Sequence, residues 1–192
     1  MKKINGFTMA EVLITLGVIG VAAAVTLPAI IKNYNDRIIV ERLRKSYNTL
    51  YNGIRMSEVD NGYMEDWPAS TDMNVYDYYD KYFQPYFKGI TLCKKPANCG
   101  YKNLDGSKWT GRNFTIVTDK SRLLFKLIDG TVVFYPRNSA NTYINWFYVD
   151  VNGPKGPNVY EKDVFMFIRG TEKGIEPRYK ALTIMKNGWK MP

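Results

Sequence analysis

Histidine is absent from the 192 residues and cysteine occurs only twice. Without histidine there is no serine–histidine or cysteine–histidine nucleophilic pair and no imidazole-ligated metal. Two thiols alone cannot complete a structural zinc site. Acidic side chains are also scarce, 18 against 27 Lys and Arg, which leaves a net charge of +9. That excess suits anionic partners such as nucleic acid, envelope polymers or lipid headgroups. Its residues are scattered, with no run of five like charges, so they read as solvated surface. No paired-carboxylate motif stands out, and an enzyme is not expected. Gly106-Ser107-Lys108-Trp109-Thr110-Gly111-Arg112-Asn113 has the glycine spacing of a phosphate loop but lacks its lysine and hydroxyl residue, and it precedes a strand-like run. It is rejected as a phosphate loop.

What the chain does have is concentrated at its front. Met1 to Gly6 is short and basic, and Phe7-Thr8-Met9-Ala10-Glu11 follows. The next twenty residues, Val12 to Ile31, carry no charge. A bilayer core of about 30 Å needs about 20 apolar residues in a helix, so the run is long enough to span one. Glu11 stands at its front edge, where burying an acid costs about 2.5–3.5 kcal/mol on insertion scales. An ordinary secretory signal is cut after its apolar stretch at a small-residue site. Here Pro28-Ala29-Ile30-Ile31 leads directly into a charged helical pattern, and the one break precedes the apolar run, at Gly6-Phe7.

This order resembles the type IV pilin and type II secretion pseudopilin family. The shared positions are Gly6, Phe7, Thr8, Glu11, Gly20, Ala23, Ala24, Pro28 and Ala29, while Met9-Ala10 replaces a pair of larger aliphatic residues. The resemblance implies cleavage after Gly6 by prepilin peptidase, which frees and often methylates the amine of Phe7. It implies that Glu11 pairs with the same amine of a neighbouring copy and so selects the axial register of a filament. It also implies a self- or hetero-polymer of pilin-like subunits built on an inner-membrane assembly platform. The leader would lie in the cytoplasm and the head outside. Charge alone does not decide this, because Lys32, Arg37, Arg42, Arg44 and Lys45 follow the span as Lys2 and Lys3 precede it.

The expected organisation is a leader at 1–6, a transmembrane and assembly half-helix at 7–31, an amphipathic half-helix at 32–62 and a globular head at 63–192. Gly20 and Ala24 form a small-xxx-small pair suited to close helix packing. Pro28 removes a backbone donor and should kink or loosen the helix. Ile39, Leu43, Tyr47, Leu50 and Ile54 draw one apolar stripe, which predicts packing on a sheet. Gly62 is the expected left-handed stop. Tyr76, Tyr79, Phe83 and Tyr86 or Phe87 predict a short helix distorted near Pro85. Leu123–Ile128 and Thr131–Tyr135 around Asp129-Gly130 predict a hairpin with a type I′ turn. Further strands are expected at 144–151, 163–168 and 181–185, with another possible at 113–117. The fold class is therefore α+β, a long N-terminal helix packed on an antiparallel β-sheet.

Three further sites follow. Outside the cytoplasm Cys93 and Cys99 would form a disulfide, with two free thiols as the alternative. Asp150, Asn152, Asn158 and Asp163 bring oxygen ligands around a Gly-Pro turn. Some pseudopilins carry a calcium loop in such a region, but the spacing is not that of an EF-hand, Lys155 and Lys162 oppose a cation, and an ordinary turn is the competing reading. Aromatic and basic residues interleave at Tyr101, Lys102, Lys108, Trp109 and Arg112, and again at Arg178, Tyr179 and Lys180. Bases can stack on such aromatics. The second functional reading is therefore a minor pilin or competence pseudopilin that binds DNA or a surface.

Overall fold

A computed structural model describes residues 6–68, 72–101, 122–136, 146–170 and 174–192. The chain divides into two compact units, Met1–Ile38 and Ile39–Pro192. One helix, α1 (Met9–Asn61), begins in the first and ends in the second. Its stop is Gly62, whose φ of 77° is the left-handed conformation expected there. Pro28 does not interrupt it.

In the second unit the predicted stripe is buried. Ile39, Leu43, Leu50 and Ile54 face the core, joined by Val40, Ser46, Gly53 and Ser57, and Tyr47 packs at its edge. Gly53 is small for a reason. A Cβ there would fall inside van der Waals contact of the Phe87 ring, 2.6 Å from one edge carbon, so the ring lies flat against the helix backbone.

Among the described residues the sheet is a meander of six strands: β1 (Thr91–Leu92), β2 (Arg122–Lys126), β3 (Val132–Pro136), β4 (Trp146–Asp150), β5 (Val164–Gly170) and β6 (Gly174–Pro177). Every strand pairs antiparallel with its neighbours in chain order. Side chains alternate between faces along each strand. Leu123, Phe125, Val133, Tyr135, Phe147, Val149, Phe165 and Phe167 join the α1 stripe in one core. Leu124, Val132, Phe134, Tyr148, Val164 and Met166 form a second core with Cys93, Cys99 and Tyr101. With both faces buried, these strands read as nearly continuous apolar runs.

Several details differ from the sequence expectations. The turn between β2 and β3 is not type I′. The Gly130 N–H donates to the Leu127 carbonyl at 3.0 Å and the Leu127 N–H to the Thr131 carbonyl at 2.8 Å. Only Gly130 of these residues has positive φ, 90°. This is the three-residue loop with a glycine bulge, in which Asp129 keeps an ordinary backbone and its Oδ1 accepts from the Thr131 N–H at 3.1 Å. The expected strand at 181–185 is instead helix α3 (Tyr179–Lys186). Its buried residues are Ala181 and Ile184, three apart, a helical spacing that a short apolar run does not reveal. The aromatic helix α2 (Val75–Tyr82) followed by a 3-10 turn at Gln84–Tyr86 is present, with Phe87 of the expected stripe buried beyond it and Tyr76 alone out of place. Val75, Tyr78, Tyr79, Tyr82 and Phe83 are buried, while Tyr76 is 42 % exposed. The possible strand at 113–117 and the rejected phosphate loop lie outside the described residues, as do residues 144 and 145 of the strand expected at 144–151.

Candidate functional site

Gly6 and Phe7 precede α1 and are exposed. The helix start is built by the sequence Thr8-Met9-Ala10-Glu11. The Thr8 N–H and Oγ1–H both donate to Glu11 Oε2 at 2.8 Å, and the Glu11 N–H donates back to Thr8 Oγ1 at 3.2 Å. This is a capping box, two orphan donors of the first turn satisfied reciprocally. The spacing of threonine and glutamate is a recognised start signal that the motif reading passed over. Its chemical consequence is that one carboxylate oxygen of Glu11 takes both Thr8 donors.

Beyond Glu11 the helix surface is apolar on every side, and exposed. Leu13, Ile14, Leu16, Val18, Ile19, Val21, Val25, Leu27, Ile30 and Ile31 all present more than half their area. A Cβ at Gly17 or Gly20 would meet nothing within 4 Å, so these glycines relieve no close contact among the described residues. Thr15 and Thr26 hide their hydroxyls by donating to Val12 and Ala22 carbonyls at 2.9 Å. Pro28 lacks the N–H that would reach the carbonyl of Ala24, one turn earlier. The helix is long and apolar enough to cross a membrane.

The calcium candidates do come together, though not as a cation cage. Asp150 and Asp163 are fully buried. Asp150 Oδ2 accepts from the Tyr101 hydroxyl at 2.6 Å and Oδ1 from the Asn152 N–H at 3.2 Å. Asp163 Oδ1 accepts from the Val159 N–H at 2.6 Å and Oδ2 from the Asn158 N–H at 2.9 Å. With its amide turned to donate, Asn158 reaches Asp150 Oδ2 and the Gly153 carbonyl, each at 2.9 Å. Every carboxylate oxygen already faces a donor, whereas calcium needs six to eight oxygens around itself. No group of three or more His, Cys, Asp or Glu able to hold a metal occurs among the described residues. The residues do not fit the ion, and the arrangement is a closed polar turn. It also ties the head together: Arg42 Nη1 donates to Asn152 Oδ1 at 2.6 Å, and Lys45 sits 3.3 Å from Asp129. Burial pushes the Asp150 carboxyl up to about 7; the Tyr101 hydrogen bond opposes that rise and the neighbouring Asp163 charge adds to it.

Cys93 and Cys99 are joined, Cα to Cα 5.6 Å, across a 3-10 turn at Pro96–Cys99. Gly100, at φ 101°, then turns the chain so that Tyr101 reaches Asp150. Of the interleaved basic and aromatic residues, 102, 108, 109 and 112 lie outside the described residues. Tyr179 is 55 % exposed on α3.

A capping box opens an exposed apolar helix, and the chain continues into an α+β head, an order consistent with a pilin-like fold. The model of the prokaryotic N-terminal methylation motif, the type IV pilin and pseudopilin signature, matches residues 1–27. A second model matches residues 29–174, most of the chain, and the protein belongs to that family, a family of unknown function (DUF6613). No curated protein and no solved structure matches the chain.

Proposed function

We propose that the protein is a structural subunit, a prepilin or pseudopilin, that prepilin peptidase cuts between Gly6 and Phe7. It is stored as a single-pass inner-membrane protein with the leader in the cytoplasm and residues 63–192 outside. It is then polymerised with itself or with related subunits into a type IV pilus or a type II secretion pseudopilus. The observation that carries this reading is the methylation motif joined in register to a bare apolar helix. Exposed Leu, Ile and Val are stable in lipid or against identical helices, and in neither case do they need the head domain. Gly20 and Ala24 give the close approach such packing uses. Pro28 leaves one carbonyl unbonded, a point where the helix yields at low cost on assembly.

Glu11 is the assembly residue in this reading. Oε2 is held by Thr8, so Oε1 is the oxygen that meets the Phe7 amine of a neighbour. In a water-poor filament core such a pair gains strength, and the unpaired charge becomes costly. Mass spectrometry of the mature amino terminus tests the processing step: a chain that starts at Phe7, with or without a methyl group, is expected. A chain that still starts at Met1, or one cut after Ile31, would defeat the reading.

A further inference from the structure

We propose that Lys32, Tyr34 and Arg37 form a collar that binds anionic lipid headgroups and sets the depth of α1, so that Glu11 rests at the opposite headgroup boundary. The inference rests on the membrane-stored state proposed above. Lys32 lies twenty-one residues beyond Glu11, with no charge between them. At about 1.5 Å per residue the separation is about 31 Å, one hydrocarbon thickness. Seating Lys32 among headgroups therefore places Glu11 at the far surface and not within the hydrocarbon. There its box with Thr8 is wet, and the acid needs no partner until assembly.

The collar has the composition and geometry this task requires. Lys32 and Arg37 are exposed and have no ion-pair partner among the described residues. Tyr34 is 64 % exposed and is not a member of either core formed by the described residues. Tyrosine is enriched where bilayer meets water, and lysine and arginine stems extend to reach headgroups. At about 100° per residue Tyr34 and Arg37 share one side of the helix and Lys32 takes the other, so contacts ring an upright helix. Asp36 is the single acid of the segment. It lies one turn further out than Lys32, so the first charge beyond the hydrocarbon is positive. Further along, Arg42 and Lys45 are already engaged with Asn152 and Asp129, and Arg44 lies twelve residues past Lys32, about 18 Å further from the hydrocarbon. Each basic residue near an anionic surface strengthens attachment about fivefold.

The test uses the full chain in vesicles, with a nitroxide on N33C, the one thiol outside the Cys93–Cys99 bond. Oxygen and an aqueous nickel chelate report its depth. In phosphatidylglycerol-rich vesicles the label should sit at headgroup depth. K32Q/R37Q should shift it by about one helical turn, ~5 Å, and phosphatidylcholine should reproduce much of that shift with the native side chains. R44Q, well outside the bilayer, should change nothing. Equal depth in both lipids and in both proteins would overturn the collar while leaving insertion intact. A label immobilised by a second copy, whatever the lipid, would overturn it too. A label freely reached by the chelate in every vesicle would mean no insertion, and the storage reading itself would fall.

Discussion

Asp150→Asn should make the protein more stable at pH 8 and flatten its stability between pH 4 and 8. Asp150 is enclosed with Asp163 and has its carboxyl pushed up to about 7, chiefly by burial, from an ordinary 3.8. A raised folded-state acid binds its proton more tightly in the native chain than in the unfolded one. The stabilisation is then fully present below about pH 4 and is lost as the pH rises through about 7. At about 1.4 kcal/mol for each tenfold change in proton affinity, the ceiling is about 4 kcal/mol. Relaxation and water entry reduce it, so about 2 kcal/mol is the working expectation, or about 4–8 °C in melting temperature for a domain of this size. The absence of histidine helps, because nothing else among the ordinary side chains titrates between pH 5 and 8. Asparagine keeps the shape and the acceptor for Asn152 but cannot ionise. Thermal denaturation of the full chain in detergent, read by the near-ultraviolet signal of its aromatic core, gives both profiles. A native profile that is flat or rises from pH 5 to 8 would refute the reasoning, as would a variant that keeps the native slope.

Gly53→Ala should destabilise the head although alanine is the better helix former: forcing Phe87 aside costs about 1–3 kcal/mol, against about 1 kcal/mol of propensity gained. An unchanged denaturant midpoint would show that the ring has room to move. Cys93→Ser/Cys99→Ser should cost about 2 kcal/mol, the entropy of a short closed loop, and a tryptic map that does not change with reductant would show that the bond is absent. Glu11→Ala should still be processed and inserted but should not assemble, and normal filaments from it, seen by electron microscopy, would remove the register role.

The α1 helix was legible because its two halves carry different, long signals: twenty uncharged residues, then a stripe repeated over four turns. The central hairpin was legible because two apolar runs flank an Asp-Gly. Its turn type was not, since the same dipeptide serves a two-residue loop and a glycine bulge, and only the 127–131 hydrogen bonds distinguish them. Short elements were lost for a related reason. β1 has two residues and β6 is bounded by Gly174 and Pro177, so neither shows alternation, and α3 shows barely two turns of period. At the N-terminus the motif named Glu11 but hid the box with Thr8, because a family pattern fixes identities and not partners. The reverse held at the turn: oxygen-bearing residues at 150, 152, 158 and 163 were legible as a cluster. Their chemistry was not, since it depends on which backbone N–H groups point inward.

The meander has a consequence for how the molecule is made. Among the described residues each strand bonds to strands adjacent in the order of the chain, so this sheet can grow by single additions, each partner being already in place when the next strand arrives. Such local pairing folds faster than a topology that must bring distant strands together. The long-range step is the closing of the sheet over Leu43, Leu50 and Ile54 of α1, residues that precede every strand. The helix thus waits upstream as a mould, and the head is complete only when the finished sheet closes onto it.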